Sequence, residues 1–325
     1  MTEAEAIEAV PAERTPVAAE VVLWIVVAGI GGLVLTQAIG WEAGRAVAAA
    51  QSLTPHVSLL LIPVIGYSIA NRWYLLAGVA GAALLGVGTL ALPLVFPGSQ
   101  PDARPGSVGT RIAVVNLLYE NDRVVEVADV LTEQSADLIV FTEYTAEHQA
   151  ELLDQPLAAA FPHREELDGL FAGGTAVWSR HPLTPQPNAD MTNYDVDVAV
   201  DAPDGVFRLW AVHPAFPFNP GWAGDLDTIA ARAPTIEAPL VVAGDFNASH
   251  WHPAYREILD AGLTDAHIAL GRGWSTSWPT DRWHPSFVRI DHALTNDDMV
   301  ATAVSDFDVP GSDHRGFVVT VAPKA

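Results

Sequence analysis

Cysteine is absent from the 325-residue chain, and lysine occurs once, at position 324. Without thiols the chain can form no disulfide, no thiol nucleophile and no cysteine-ligated zinc site. Acidic residues outnumber basic ones by 39 to 16, and from residue 101 onward the counts are 33 and 13, a net charge of −20. A surface of that sign repels long polyanions unless metal ions or a local arginine cluster intervene.

Charged side chains are also absent from three apolar stretches in the first hundred residues, at 21–39, about 55–70 and about 74–96. The first would span ~28 Å as a helix, close to the ~30 Å hydrocarbon core of a bilayer. Trp24 and Trp41 lie near its ends, where transmembrane helices carry interfacial anchors. Taken alone, the short second stretch also fits a buried core helix. The three together predict a three-helix transmembrane module over residues 21–97.

The segments on either side of this module have a different composition. Residues 1–20 are acidic and rich in Ala, Glu and Pro, which predicts a disordered tail. Residues 98–108 form a linker rich in Pro and Gly. Beyond it, short apolar runs alternate with turns and helical patterns, so residues 109–325 are predicted to form an α/β domain.

The α/β part of the chain is organised around Gly244-Asp245-Phe246-Asn247, which follows the apolar run 240–243. A short apolar run closed by glycine predicts a buried central strand, so Asp245 and Asn247 would emerge at its end, where α/β sheets place their chemistry. The same residue types are favoured in any tight turn after a strand. The motif alone therefore leaves a turn and a catalytic site both open.

Other polar residues occupy equivalent positions. Asn116 lies near the end of the predicted strand 111–118, Glu143 follows the strand 138–141, and His213 follows the strand 207–212. A carboxylate one residue beyond four apolar residues, here after Thr142, needs a partner or a metal. Two Asp-His pairs, Asp291-His292 and Asp313-His314, lie at further strand edges. Each residue alone fits a structural role, but the repeated placement predicts one shared site.

Two further polar positions receive structural predictions. Asn121 or Asp122 is predicted to cap a helix whose apolar positions follow at helical spacing. His250 and His252 lie just past the central motif, but no zinc-ligand pattern accompanies them, so they are predicted to be surface or rim residues.

Taken in order along the chain, these motifs resemble those of the endonuclease/exonuclease/phosphatase superfamily, the fold of deoxyribonuclease I, apurinic endonucleases, inositol polyphosphate phosphatases and sphingomyelinases. The resemblance covers roughly residues 110–322 and rests on VVNLL, IVFTEY, GGTAVWSR, the VHP strand end, GDFN, RIDHAL and GSDHRGF. It implies a four-layer α/β sandwich, with two packed mixed β-sheets flanked by helices, preceded here by three transmembrane helices. The apolar module itself resembles that of a membrane-anchored bacterial subgroup, some members of which are associated with resistance to glycopeptide antibiotics.

Site roles follow from the resemblance residue by residue. Glu143 would be the principal Mg²⁺ carboxylate, with Asn116 beside it and Asp313 near the metal; Mn²⁺ is the alternative cation. Asp245 would orient or deprotonate the attacking water, and Asn247 would bind the phosphoryl oxygen in the transition state.

Two histidines complete the implied site. His314, paired with Asp291, would act as base or transition-state donor, and His213 would donate to the phosphate. The pattern suits metal-assisted in-line hydrolysis, because an oxygen-seeking cation polarises the phosphoryl group while neutral or cationic donors stabilise developing charge.

The expected function is a membrane-anchored phosphoesterase acting on a phosphate ester or pyrophosphate, including a lipid-linked one. A membrane-tethered nuclease is the first alternative, which the charge of −20 disfavours. A catalytically silent binding module is the second, which the complete set of acid, amide and histidine residues disfavours. The three apolar stretches predict a multi-pass cell-membrane protein. Arginines near them are nearly balanced between the two faces, so only the resemblance implies an extracytoplasmic catalytic domain.

Overall fold

A computed structural model describes residues 17–42 and 45–325. The predicted tail lies largely outside these residues, but its last four residues belong to the first helix, where the acidic Glu20 suits the positive end of the helix dipole. The α-helices are α1 Val17–Ala38, α2 Arg45–Gln51, α3 Thr54–Ser58, α4 Leu61–Ala70, α5 Tyr74–Val95, α6 Val124–Glu133, α7 Ala146–Leu153, α8 Pro156–Ala160, α9 Trp222–Arg232, α10 Pro253–Asp260 and α11 Ala266–Ala269.

Two of the described helices, α1 and α5, are long and apolar enough to cross a membrane, where the sequence predicts three; the middle apolar stretch, Thr54–Ala70, is shorter. The predicted middle helix is divided into α3 and α4, because Pro63 lacks the N–H that would bond the carbonyl of Leu59. The predicted loop before it contains the additional helix α2.

Helices α1 and α5 run in the same direction. Gly31 of α1 lies against Ala83 of α5, and Val34, three residues further along α1, lies against Gly86, three residues further along α5. The contacts advance in the same direction along both helices, so the helices are parallel. Because α5 starts at the end where α1 starts, α3 and α4 return the chain between them. Both long helices therefore end on the side of the α/β domain.

The α/β domain contains two six-stranded sheets. The strands are β1 Thr110–Asn116, β2 Leu138–Thr142, β3 His163–Leu167, β4 Thr175–Ser179, β5 Leu183–Pro185, β6 Val196–Ala202, β7 Gly205–Val212, β8 Leu240–Asp245, β9 Thr264–Asp265, β10 Asp291–Thr295, β11 Met299–Asp308 and β12 Arg315–Pro323. The first sheet has the order β11-β12-β1-β2-β4-β3 and the second β5-β6-β7-β8-β10-β9. The pairs β1–β2 and β7–β8 are parallel and the other neighbours are antiparallel, so both sheets are mixed.

Alternation of side chains along the central strands produces the layers. In β1, Ile112 and Val114 face the other sheet, whereas Ala113 and Val115 face the helices. In β8, Val241 faces the other sheet while Val242 packs against helices on the opposite side. The domain thus has four layers, helix, sheet, sheet and helix, with an apolar layer between each neighbouring two. Both faces of the central strands are buried, which explains why their sequences are continuously apolar.

Strand register brings the polar strand ends together. Asp245 pairs with Asp291 across β8 and β10, and Val212, the last residue of β7, pairs with Gly244. In the other sheet, Asn116 is the partner of Thr142, which directly precedes Glu143. These ends lie at one edge of the two packed sheets, as the sequence predicts.

Two predictions about polar residues are wrong. Arg123 occupies the cap position of α6 without a side-chain cap bond. Asn121 lies two residues earlier, where its Oδ1 accepts the Arg123 N–H at 2.8 Å and its amide donates to the carbonyls of Leu117 and Pro310. His250 and His252 are buried, since each contacts a backbone carbonyl of the N-terminal helices.

Candidate active site

The central motif adopts a backbone that few other residues could follow. Gly244 has φ +150°, and a Cβ there would lie 2.0 Å from the carbonyl oxygen of Val212. Asn247 is left-handed at φ +47°, and its backbone N–H donates to Asp245 Oδ1 at 2.8 Å. Glycine thus lets β7 approach β8 closely, and the turn after it fixes the buried Asp245 carboxylate.

Asn116 links the two sheets. Its Nδ2 donates to Glu143 Oε1 at 3.1 Å and to Asp245 Oδ2 at 2.9 Å, so one amide holds two carboxylates. Glu143 is left-handed at φ +55°, and its Oε2 accepts the backbone N–H of Tyr119 at 2.9 Å. The strained backbone of Glu143 turns its side chain toward the other sheet, a feature concentrated at functional sites.

His213 continues from β7 into the same region. Its Nε2 lies 3.7 Å from Asp245 Oδ2 and 3.4 Å from the amide nitrogen of Asn247. Its Nδ1 lies 3.4 Å from the amide nitrogen of Asn193. Burial lowers the pKa of His213, although the nearby Glu143 carboxylate opposes the shift.

His314 and Asp291 form a buried pair, with His314 Nδ1 donating to Asp291 Oδ2 at 2.8 Å. The other ring nitrogen, Nε2, lies 3.7 Å from Asp245 Oδ2. Burial alone would lower the pKa of His314, but the carboxylates of Asp291 and Asp245 raise it to about 10. Burial would likewise raise the pKa of Asp291, but the His314 cation lowers it below its usual range. The pair is therefore an imidazolium and a carboxylate.

Asp313 lies at the edge of the cluster. Its Oδ2 accepts the indole N–H of Trp278 at 2.9 Å, and its Oδ1 lies 3.8 Å from His314 Nε2. The other seven predicted residues are connected to one another through Asn116 and Asp245. Asp313 reaches that network through His314.

The cluster has the composition of a divalent-cation site. Ligand atoms of two overlapping trios lie within 4.8 Å of one another, namely Glu143, His213 and Asp245, and Asp245, Asp291 and His314. Within the described part of the chain, Asp291 Oδ1 and Asp313 Oδ1 are buried without a hydrogen-bond partner. Burial, with the neighbouring Asp291 charge, raises the pKa of Asp245 to about 8. Crowded carboxylates that resist ionisation fit a bound cation, which would offset their repulsion.

A groove of about 570 Å³ opens from this cluster, bordered by Glu143, His213 and Asn247. Its walls carry Leu170, Phe171, Tyr194 and Phe216, which are exposed large apolar residues. Among its described lining residues there is neither lysine nor arginine.

A second groove, on the His314 side, contains Arg123 and Arg315. Both arginines are paired with acids, Arg123 with Glu126 and Arg315 with Asp308. The surroundings of the cluster therefore offer apolar surface but little free positive charge.

Several supporting residues carry no recognisable sequence signal. The backbone N–H of Tyr119 holds Glu143, the indole of Trp278 holds Asp313, and the indole of Trp222 donates to the Asn247 carbonyl at 3.0 Å. Asn193 contacts His213 from a loop without regular structure. By contrast, the supporting residue Ser312 lies inside a sequence motif, GSDHRGF. Its hydroxyl donates to the Asn116 carbonyl and accepts the His314 N–H.

Two mixed sheets flanked by helices, with carboxylate, amide and imidazole groups at adjoining strand ends, define the class of metal-dependent phosphate-ester hydrolases. The profile of the Endonuclease/Exonuclease/phosphatase family matches residues 113–314, and the chain belongs to this family. Members are metal-dependent phosphodiesterases, phosphatases and nucleases, so the chain is a hydrolase acting on phosphate ester or anhydride bonds. The comparison with curated proteins finds no match.

Solved structures share the fold at low sequence identity. D. rerio TDP2, humanized by 14 mutations, has a TM-score of 0.53 and 14% identity, covering 66% of this chain and 99% of the other. The Beutenbergia cavernae endonuclease/exonuclease/phosphatase has a TM-score of 0.51 and 18% identity, with coverages of 66% and 72%. The catalytic domain of human Nocturnin with bound sulfate has a TM-score of 0.51 and 16% identity, with coverages of 69% and 98%.

Proposed function

We propose that the chain is a membrane-anchored, Mg²⁺-dependent hydrolase of a phosphate ester or pyrophosphate carried by a lipid. The observation that carries the hydrolytic part is the position of Asp245 Oδ2, which lies 2.9 Å from Asn116 Nδ2 and 3.7 Å from both His213 Nε2 and His314 Nε2. An acid, an amide and two imidazoles around one buried oxygen match the needs of in-line water attack on phosphorus.

Metal binding is assigned to the Glu143 side of the cluster. Glu143 would hold the cation, with Asn116 beside it. Asp313 would approach from the His314 side, where its Oδ1 lies 3.8 Å from His314 Nε2. When bound, Mg²⁺ would polarise the phosphoryl group and offset its negative charge. Mn²⁺ prefers the same oxygen-rich ligands and is expected to substitute.

The remaining residues act on water and on phosphoryl oxygens. Asp245 orients the attacking water and takes its proton, while Asn247 and His213 donate to the phosphoryl oxygens. His314 faces the same region, and its pKa of about 10 favours donation from an imidazolium over action as a base. Asp291 holds that imidazolium in position.

The N-terminal helices support attachment to a membrane. Helices α1 and α5 contain 18-residue windows with mean hydropathies of 2.3 and 2.1, and each helix has 22 residues, which corresponds to ~33 Å. Their parallel course, with α3 and α4 returning between them, favours a multi-pass arrangement. An odd number of crossings places residue 17 and the catalytic domain on opposite faces, and we assign the domain to the extracytoplasmic face.

The groove supports a lipid-borne substrate. Leu170 and Phe171 on its wall are 88% and 74% exposed, and the loop after Asn247 contacts the N-terminal helices directly through His250 and His252. A phosphate at the cluster would thus have apolar surface beside it and the helices close by. Hydrocarbon attached to that phosphate fits these walls better than further charged groups do.

Nuclease activity is the second candidate, because D. rerio TDP2 complexed with single-strand DNA product has the same fold at a TM-score of 0.53 and 14% identity. The paired arginines of the second groove and the net charge of −20 disfavour a long polyanion. Turnover of lipid, nucleotide and DNA substrates by the full chain with Mg²⁺ separates the two candidates. Failure to hydrolyse any phosphate ester would overturn the proposal.

A further inference from the structure

The loop between β8 and α10 ties the active site to the N-terminal helices. Within this loop, His250 Nε2 lies 2.8 Å from the carbonyl oxygen of Leu90 in α5. His252 Nε2 lies 2.9 Å from the carbonyl oxygen of Ala48 in α2. The same short loop begins with Asn247, so two helices before the linker contact the segment that carries a proposed transition-state donor.

The contact of His252 completes the end of α2. The last four carbonyls of a helix lack partners within it. In α2 three of these carbonyls accept from Ser52, Leu53 and Thr54, and the fourth, that of Ala48, accepts from His252. A residue of the catalytic domain, His252, thus supplies the hydrogen-bond donor for the remaining free carbonyl at the end of α2.

His252 has one neutral tautomer in this setting. Its Nδ1 accepts the backbone N–H of Ser249 at 2.8 Å, which places the ring proton on Nε2, where it donates to Ala48. Complete burial lowers the pKa of His252 to about 4, so the ring stays neutral near pH 7. Both ring nitrogens of His252 are therefore engaged in hydrogen bonds, which fix the orientation of the ring.

The orientation of this ring bears on Asn247 through Trp222. The rings of His252 and Trp222 pack edge to face with centroids 5.3 Å apart, and both side chains are buried. Trp222 Nε1 donates to the Asn247 carbonyl at 3.0 Å. Asn247 is held in a left-handed backbone, and its amide nitrogen points toward the Pro214 carbonyl and His213.

We propose that His252 is a positioning residue through which helix α2 sets the placement of Asn247. The Ala48 carbonyl fixes the His252 ring, the ring fixes the Trp222 indole, and the indole holds the backbone from which the Asn247 amide reaches the phosphoryl oxygen. The inference rests on the role proposed for Asn247. We call this chain of contacts, from Ala48 through His252 and Trp222 to Asn247, the relay. Because the Asn247 amide is assigned to the transition state, loss of the relay lowers kcat and leaves KM largely unchanged.

Two substitutions of His252 separate its two hydrogen bonds. Asn in His252→Asn can accept from Ser249 but is too short to reach Ala48, whereas Gln in His252→Gln can donate to Ala48 but gives up the Ser249 bond. We expect His252→Asn to lower kcat about tenfold or more with KM within about twofold, since small misplacements of catalytic groups are costly. Both variants lose the ring that packs on Trp222, so they differ in the bond to Ala48. We expect His252→Gln, whose side chain stays anchored to α2 beside the indole, to retain clearly more of kcat than His252→Asn.

The matched control is His250→Asn, which removes a comparable bond to Leu90 without touching the His252 and Trp222 rings. It should keep the kcat of the unsubstituted chain. Equal losses in His250→Asn and His252→Asn would attribute the effect to general docking of the helices and overturn the relay. Unchanged kcat in His252→Asn would overturn it as well.

A readout independent of turnover is the solvent exchange of the Trp222 indole N–H, followed by NMR in the full chain. The relay predicts exchange about tenfold faster in His252→Asn than in His250→Asn, because the indole bond to Asn247 loosens. Equal exchange would overturn the relay. Absence of hydrolysis by the unsubstituted chain would refute the proposed function instead, so the two failures are distinguishable.

Discussion

His314 Nδ1 lies 2.8 Å from Asp291 Oδ2, and this buried pair faces Asp245 across the strand register of β8 and β10. The Asp291 charge is the main reason that the His314 pKa rises to about 10 in spite of burial. An imidazolium held in this way is oriented toward Asp245 without any need for reorganisation. The two residues should therefore act as a unit.

Substitution of the pair tests this coupling. Asp291→Asn should lower kcat about a hundredfold, because the His314 cation loses its counter-charge and its fixed orientation. The double change with His314→Ala should cost little more than His314→Ala alone. Asp308→Asn, an exposed acid elsewhere in β11, is the control. Fully additive losses would show that the two residues act separately.

Metal dependence is tested at Glu143. Glu143→Ala removes the assigned main ligand of a hard cation, so turnover with Mg²⁺ should fall about a hundredfold or more while the fold persists. Glu147→Ala, an exposed acid of α7, should leave both turnover and metal affinity unchanged. Calorimetric titration of Mg²⁺ and Mn²⁺ measures the affinity directly. Near-normal turnover of a true substrate by Glu143→Ala would refute the metal assignment.

Proton release should accompany metal binding. Burial and Asp291 raise the pKa of Asp245 to about 8 in the metal-free site, so this carboxyl carries a proton near pH 7. A cation favours the ionised form; its affinity should therefore rise with pH up to about 8, by at most about tenfold per pH unit, and level off above. Titration in buffers of different ionisation enthalpy counts the released proton. Asp245→Asn should abolish the pH dependence, and a slope that survives this change would assign the proton elsewhere.

The α/β class and the placement of polar residues at strand ends could be predicted because their signals are local, whereas the two-sheet arrangement and the residue roles follow only from the family resemblance. Apolar runs closed by Gly244, or followed by Thr142 and Glu143, mark buried strands that end in polar groups, and parallel strand ends meet at one edge. The supporting contacts could not be predicted, since they join distant positions: His252 meets Ala48 across 204 residues. A backbone N–H such as that of Tyr119 has no sequence signature at all.

The N-terminal helices show the other limit of sequence patterns. Hydropathy identifies residues 55–70 as one apolar stretch, but hydrogen bonding divides it. Pro63 cannot donate to the Leu59 carbonyl, which accepts the N–H of Ile62 instead. The sequence pattern wrongly predicts His250 and His252 at the surface for a related reason. A buried histidine whose ring N–H donates to a backbone carbonyl far away in the chain cannot be told from a solvent-exposed histidine in the sequence. The distinction requires the packing of the N-terminal helices against the catalytic domain.

Membrane orientation can be tested with the cysteine-free chain itself. We expect Val206→Cys, an exposed residue near the start of β7 in the catalytic domain, to react with a membrane-impermeant maleimide in intact cells. The unsubstituted chain is the unlabelled control, and a reporter fused after Ala325 should give the same orientation. Labelling only after permeabilisation, together with a cytoplasmic reporter signal, would reverse the assigned topology.

Substrate preference follows from the charges and walls of the site. Binding DNA requires Lys and Arg on many phosphates, with release of counterions from each. The catalytic part of the chain has one lysine and a net charge of −20, and the two arginines of the second groove are already paired with acids. A single phosphate head group needs positive charge only at the cation site, and the exposed Leu170 and Phe171 can contact hydrocarbon beside it.

We therefore expect efficient release of phosphate from a polyprenyl pyrophosphate in detergent and little nicking of plasmid DNA by the same preparation, with equal Mg²⁺ and salt. Replacing Phe171 by Ser should raise KM for the polyprenyl substrate by about tenfold, because burial of a large apolar side chain against hydrocarbon contributes roughly 1.5–3 kcal/mol. The matched comparison is a short, water-soluble phosphate ester, whose KM should stay the same since it cannot reach that wall. Efficient DNA cleavage without phosphate release from the lipid would instead establish a tethered nuclease, and an equal rise in KM for both esters would place Phe171 at the phosphate and not at the hydrocarbon.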